Sequence, residues 1–299
     1  MSAIDLHMHS IYSCDGEYTP AALVSLAQKC GIKTIAIADH NTAAGVEEAI
    51  HAVKDAKIDV VPAVELDCIH EGIVFHILGY YIDHKSPKYE KVDEDIRNQE
   101  KKAAVDRIRL VREYGIDVDT EEALSMAKDD FVTGEIIAEL VLSKPENINN
   151  PLLRPYYPGG SRSDNPYVNF YWDICSQGKP AYVHIQYMSI GEAINLVNDT
   201  GGVPVLAHPG NNLTSRLNML HDIVKLGIRG IEAYSSYHTP EQNSYFAAKA
   251  EEYGLVITCG SDFHGKNKPS IGIGQYGDTG DMSYLPETLR RMSSFYNQP

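Results

Sequence analysis

Apolar and polar positions in this 299-residue chain follow two alternating periods. Short unbroken apolar runs stand at Thr34–Ala38, Val60–Val64, Val74–Leu78, Val203–Ala207 and Leu255–Thr258. They are too short for helices and read as strands buried on both faces. Between them the spacing becomes helical. Thr19-Pro20 opens one helix, Ala21, Leu23, Val24, Leu26 and Ala27 give it an apolar stripe, and Gly31 stops it. A second helix is predicted from Thr42 towards Lys54. From Ile4 to about Ile82 the expected order is strand, helix, strand, helix, strand, strand.

The pattern changes near His84. Residues 88–115 predict a charged helix, and helical stretches follow at Thr120–Lys128 and Thr133–Leu142. Residues 144–172 are rich in Pro, Asn, Gly and Tyr and read as irregular. Alternation resumes after Ser189, with a helix over 190–199 and a closing helix over 285–294. The expectation is an α/β, TIM-like barrel in two parts, residues 1–85 and 188–299. A mainly helical insertion, residues 86–187, is expected to cap the site, since long irregular segments in compact enzymes tend to carry function.

With Ile4-Asp5-Leu6 and Gly230-Ile231, seven short runs lead into, or carry, a residue of metal-ligand type. They give His7-Met8-His9, Asp39-His40, Glu65, His76, His208, Glu232 and Asp262-Phe263-His264. A parallel barrel gathers the carboxyl ends of its strands on one face, so these residues would meet. His7 and His9 alternate on a strand, face one side and can grip one ion. A carboxylate such as Glu65, after an apolar strand, is costly unless paired or metal-bound. The candidate ligands are His7, His9, Asp15, His40, Glu65, His76, His208, Asp262 and His264. Nine ligands suit two or three ions with one bridging carboxylate, and nitrogen and oxygen donors without thiolate favour Mn, Fe or Zn. His51, His70, His84 and His221 have no such neighbours and read as ordinary histidines.

Composition narrows the class. There are 26 Lys+Arg against 41 Asp+Glu, a formal net charge of −15. Nucleic-acid affinity comes largely from basic groups, so no nucleic acid longer than a nucleotide or short oligonucleotide is expected. Bound cations would still admit an anionic small molecule. Five scattered cysteines without a C-x-x-C pair, no basic leader and no long apolar run imply reduced thiols, no membrane span and a cytoplasmic setting.

Asp5-Leu6-His7-x-His9-Ser10, Ala38-Asp39-His40-Asn41, Glu65, His76, Ala207-His208-Pro209-Gly210 and Gly260-Ser261-Asp262-x-His264 resemble, in order, the motifs of the polymerase-and-histidinol-phosphatase (PHP) family. The resemblance implies a distorted seven-stranded barrel and three divalent ions that hydrolyse phosphoesters. It implies that Glu65 bridges two ions. His7, His9 and Asp262 would complete the first, His76 and His208 the second, and Asp15, His40 and His264 would hold the third. Where many members have His, this chain has Asp15. That form, and the helical insertion, resemble the subgroup acting on nucleotide-like and small-molecule phosphates.

The expected substrate is a small phosphate ester, such as a nucleoside 3′,5′-bisphosphate. A cyclic phosphodiester and a histidinol-phosphatase-like activity are alternatives. A hydroxide shared by ions would attack phosphorus beside Glu65, His208 and Asp262. A metal-bound water, His238 and Asp67 are candidates to protonate the leaving group, and His238 also resembles a family position near the substrate. Lys179, Arg162 and Arg216 are the leading candidates to bind phosphate, with Arg154 and Lys266 behind them. The stretch Tyr156, Tyr157, Tyr167, Tyr171 and Trp172 either stacks on a base or forms the insertion's own core. A silent PHP module would have lost ligands, and all nine are present. A carbon–nitrogen hydrolase of related fold would place a Lys at a strand end, and none stands there.

Overall fold

The computed structural model describes residues 3–53, 57–127, 131–213, 216–277 and 279–296. The strands are β1 (Ile4–Met8), β2 (Thr34–Ile37), β3 (Asp59–His70), β4 (Ile73–Tyr80), β5 (Met188–Ser189), β6 (Val203–Leu206), β7 (Gly230–Ser235) and β8 (Val256–Gly260). The helices are α1 (Pro20–Lys29), α2 (Gly45–Ala52), α3 (Pro87–Tyr114), α4 (Thr120–Met126), α5 (Gly134–Ser143), α6 (Pro166–Phe170), α7 (Ile190–Asp199), α8 (Gly210–Leu213), α9 (Met219–Lys225), α10 (Pro240–Glu252) and α11 (Leu285–Met292). Residues Lys54 and Lys128, the expected ends of two helices, lie outside the described residues.

Two compact units divide the chain. One comprises Met1–Val92, Tyr187–Phe263 and Ile271–Pro299, and the other Asp93–Gln186 and His264–Ser270. The first unit is a nearly closed barrel of seven strands in the order β1-β2-β3-β4-β6-β7-β8, with β5 paired to β3. Past β8 the chain returns to β1: the Asp262 N–H donates to the His7 carbonyl at 2.8 Å, and the His9 N–H to the Phe263 carbonyl at 3.0 Å. Gly260 makes that approach possible, because a Cβ there would collide with the Cβ and backbone nitrogen of His7. Helix α1 starts where Thr19-Pro20 placed it, whereas α2 begins at Gly45, past the expected Thr42 and with no side-chain cap, and α11 stops at Met292. The Thr19 side chain caps α1, and Ser189 and Thr239 form capping boxes on α7 and α10.

The barrel is not wholly parallel. β4 pairs antiparallel with both β3 and β6. The reason is local: Glu71 and Gly72, at φ 49° and 77°, make a tight left-handed reversal between β3 and β4. Glu65 and His76 therefore sit within long strands rather than at carboxyl ends. The pairing sets Asp67 opposite His76, so both side chains project from the same face.

The second unit has its own apolar core. Ile108, Val111, Val141, Phe170 and Ile174 are buried together, Tyr156 is buried with them, and Tyr157, Tyr167 and Tyr171 pack against them. Trp172 meets Tyr171 edge-on, their rings 5.2 Å apart. Of the two roles open to this aromatic stretch, core packing is the one its contacts show. Arg107 is buried with Glu100, at 2.8 Å, and also donates to the Val132 carbonyl at 2.5 Å. No helix among the described residues is long and apolar enough to cross a membrane.

Candidate metal centre

Glu65 is fully buried on β3, and its two carboxylate oxygens face different company. Oε2 lies 3.1 Å from His7 Nε2 and 3.1 Å from His9 Nε2, and Asp262 Oδ1 lies 3.4 and 3.0 Å from the same nitrogens. Oε1 lies 3.0 Å from His76 Nδ1 and 3.0 Å from His208 Nε2. One carboxylate thus joins two sets of ligand atoms, His7–His9–Asp262 and His76–His208. Within each set, Glu65 included, the atoms lie within 4.8 Å of one another. His9, Asp15 and His40 offer ligand atoms within the same limit of each other. His264, two residues beyond Asp262, is buried and is counted with the second unit.

Metal ions fit this donor set on chemical grounds. His7 Nε2 and His9 Nε2 approach to 3.2 Å. The other nitrogen of each ring faces an acceptor. His7 Nδ1 is 2.9 Å from Glu232 Oε1, and His9 Nδ1 is 3.3 Å from the Ser13 hydroxyl. Ser13 also accepts from the His40 N–H and donates to Asp15 Oδ1 at 2.7 Å. With their protons at Nδ1, the two rings aim lone pairs at each other and at two carboxylates, which a cation between them would satisfy. The buried Glu65 Oε2 accepts no hydrogen bond among the described residues.

Two further buried carboxylates hold the segments that carry the candidate ligands. Asp39 accepts from the Ser10 N–H and hydroxyl at 2.6 and 2.7 Å, immediately after His9. Asp5 accepts from the Ser261 N–H and hydroxyl at 2.9 and 2.6 Å, immediately before Asp262, and from the Gly274 N–H. Asn41, His208 and Asp262 all have left-handed backbones, at φ 60°, 22° and 55°. Such strain costs about 1–3 kcal/mol per residue and persists where surroundings enforce it.

The electrostatics follow from this crowding. Burial lowers the proton affinity of His7, but Glu65, Glu232 and Asp262 outweigh it and hold its pKa well above the ordinary value. Burial likewise disfavours charge on His40, and Asp67 and Glu65 reverse the effect. Burial would raise the Glu65 carboxyl, but His7, His40 and His76 drive it well below its usual range. Burial pushes Asp5 up to about 6 against its hydrogen bonds from Ser261.

Two residues emerge here that ligand counting left aside. Glu232 ends an apolar run but enters no ligand set on sequence grounds. It is fully buried, contacts His7, and accepts from the His208 N–H at 2.9 Å. Asp67, expected as a proton donor, instead stands 3.0 Å from His40 Nδ1 and 3.4 Å from His76 Nε2. Burial would raise its carboxyl, but His40 and His76 outweigh this and hold it below its usual range.

His238 also differs from expectation. Its Nδ1 lies 2.9 Å from the Ala233 carbonyl, and its Nε2 accepts from the Gly210 N–H at 2.9 Å. Nε2 therefore carries no proton for a leaving group. The ring braces the His208-Pro209-Gly210 turn, where Gly210 leaves no room for a Cβ. Among the expected phosphate ligands, Arg216 and Lys179 are exposed, and Arg162 makes a two-point pair with Asp173 at 2.9 and 3.1 Å. Lys266 is held by Glu139 at 2.6 Å, and Arg154 is exposed.

Residues 5–134 match the model of the PHP domain family. The chain is 30% identical over 264 residues to a Haemophilus influenzae protein named 5′-3′ exoribonuclease, covering 87% of this chain and 89% of that one. It belongs to the PHP family. Two other relatives cover most of their length. A phosphoribosyl 1,2-cyclic phosphate 1,2-diphosphodiesterase of Eggerthella lenta is 28% identical, over 90% of this chain and 97% of its own. A 3′,5′-nucleoside bisphosphate phosphatase of Chromobacterium violaceum is 29% identical, over 93% of each chain. Among solved structures, an amidohydrolase of Chromobacterium violaceum has the same fold, with TM-score 0.77, 24% identity and 96% of each chain covered. This PHP protein is a metal-dependent phosphoric ester hydrolase.

Proposed function

We propose that the enzyme removes a phosphate from a small phosphorylated metabolite, a nucleotide-like monoester such as a nucleoside 3′,5′-bisphosphate, with three ions of Mn, Fe or Zn. The observation that carries the reading is Glu65, whose two oxygens each face a separate set of imidazoles. Bound ions supply a water of lowered pKa and neutralise charge on the phosphoryl oxygens. His7, His9, Glu65 and Asp262 would hold the first ion, Glu65, His76 and His208 the second, and Asp15, His40 and His264 the third.

The chain's own groups do the rest. Asp5 and Asp39 anchor Ser261 and Ser10, so the ligands on either side keep their geometry. Glu65, ionised across the neutral range, orders the imidazoles around it. His238 holds the turn that carries His208. Lys179 and Arg162, in the helical unit, are proposed to select substrates with a second phosphate, and Arg216 to bind anion beside the barrel. A net charge of −15 weighs against a long nucleic acid and is compatible with a nucleotide or short oligonucleotide.

A cyclic phosphodiester is the second reading, supported by the likeness to the Eggerthella lenta diphosphodiesterase. Phosphate release from nucleoside 3′,5′-bisphosphates, phosphoribosyl cyclic phosphate, histidinol phosphate and an aryl phosphate, with metal stripped and restored, separates the readings. The bisphosphate should give the highest kcat/KM, and only with metal. Preference for the cyclic ester would move the assignment to the second reading, and metal-independent turnover would refute both.

A further inference from the structure

We propose that Glu232 is a positioning residue of the metal centre, holding one ligand from each of the two sets that Glu65 joins. The inference rests on the metal-dependent reading above. Glu232 lies on β7, fully buried, and both its oxygens are engaged. Oε1 stands 2.9 Å from His7 Nδ1, and Oε2 accepts from the His208 backbone N–H at 2.9 Å. An ionised carboxylate only accepts, so His7 carries its proton on Nδ1. The Nε2 lone pair is thereby turned toward Glu65 Oε2 and Asp262 Oδ1. On the other side, Glu232 secures the backbone of His208 where φ is 22°, a conformation that L residues rarely adopt.

The geometry also explains why a carboxylate occupies this position. Both partners are N–H donors, so only a group with two acceptors serves them together. A glutamine could accept from one and would point its own N–H at the other. Outer carboxylates of this type fix the tautomer and ring orientation of a metal-bound histidine, and removing them weakens metal binding about 10–100-fold.

The rival reading makes Glu232 a ligand, because His7, His208 and Glu232 can bring ligand atoms within 4.8 Å of one another. Mn2+ titration separates the two. Metal-stripped wild type, Glu232→Gln and Glu232→Ala are titrated while free Mn2+ is followed by electron paramagnetic resonance. Bound metal at saturation is counted by elemental analysis. The expected result is a rise of about 10–100-fold in the dissociation constants, with the same number of ions at saturation. One ion fewer at saturation would make Glu232 a ligand, and unchanged constants would make it a bystander. Either overturns the proposal.

A second measurement needs no change at Glu232. In Zn2+-loaded protein labelled with 15N-histidine, the His7 ring, assigned by its absence in His7→Asn, should show a proton on Nδ1. A proton on Nε2 overturns the proposal. Failure of the wild type to take up Mn2+ would instead overturn the proposed function itself. A wild type that binds Mn2+ and a Glu232→Gln variant that binds it equally well would overturn this inference alone.

Discussion

Asn41 holds Asp67 at two points: its Nδ2 donates to Asp67 Oδ2 at 2.7 Å, and its Oδ1 accepts from the Asp67 backbone N–H at 3.0 Å. The clasp leaves Asp67 Oδ1 facing His40 Nδ1 and His76 Nε2. Asp67→Asn alone keeps the bond from Asn41 only by turning its own NH2 group toward His40 Nδ1 and His76 Nε2. Combined with Asn41→Asp, every hydrogen bond of the clasp is available again with the charge moved to position 41. The single variant should weaken Mn2+ binding about 10–100-fold, and the exchange should recover most of the loss. An exchange as weak as the single variant would show that Asp67 acts through its charge at Oδ1.

Glu65→Gln should lower kcat/KM by about 1,000-fold or more, the equivalent of about 4 kcal/mol, and loosen two ions together. His221→Asn is the control, because His221 is exposed on α9. Its stability should stay within about 0.5 kcal/mol of wild type, with activity unchanged. Steady-state kinetics and metal analysis of both variants check the contrast.

His238 gives a pH signature. Burial, the largest influence, lowers its pKa from the ordinary 6.5. Above 6.5 it is neutral folded and unfolded, so its contribution is fully present. As pH falls below 6.5 the unfolded chain takes up the proton first, and stability is lost until the folded pKa is passed. Urea midpoints measured from pH 8 to 5 should fall less steeply for His238→Gln than for wild type. The variant should keep kcat within about tenfold, whereas a general acid would lose about 100–10,000-fold.

Protons and metal compete for one set of lone pairs. Without metal, neighbouring carboxylates raise the pKa of His7, His9 and His40 against the opposing effect of burial. Metal binding should therefore release protons, and affinity should fall as pH decreases. Calorimetry of Mn2+ binding in buffers of different ionisation heat measures the release. At a hundredfold excess over Kd, metal should add about 2.7 kcal/mol to stability, read as a rise in Tm that a chelator reverses.

Lys179→Ala tests whether the helical unit selects the substrate. It should lower kcat/KM for a nucleoside 3′,5′-bisphosphate at least tenfold, about 1.4 kcal/mol, and leave an aryl phosphate nearly unchanged. Equal losses for both substrates would remove Lys179 from substrate selection.

Much of the barrel was readable from the chain because its strands are unbroken apolar runs, and a residue of metal-ligand type that follows such a run is conspicuous. His7, Glu65, His208 and Asp262 belong to this kind. The direction of β4 was harder to read, since its apolar run looks the same either way and the reversal rests on Glu71 and Gly72. Glu232 follows an apolar run as plainly as Glu65 does, but composition does not say whether a buried carboxylate meets a metal or an N–H. His238 shows the same limit: a histidine beside a turn looks available until Gly210 and Ala233 are found at its two nitrogens. The tyrosines after residue 155 stood between two roles because an aromatic cluster suits a ligand or a core equally well.

The meeting of His7 and His9 with Asp262 has a consequence for timing. These residues come from opposite ends of the chain and touch only where β1 and the segment after β8 are laced together through Gly260. During synthesis the first two emerge early and wait for almost everything else. A partly made or truncated chain that lacks Asp262 cannot complete the proposed first ligand set, which closes only after β8. On the proposed ligand set, an ion held there would also act as a stitch across the seam: its removal should first be felt as faster amide exchange at the His7, His9 and Asp262 N–H groups, before the remaining strands loosen.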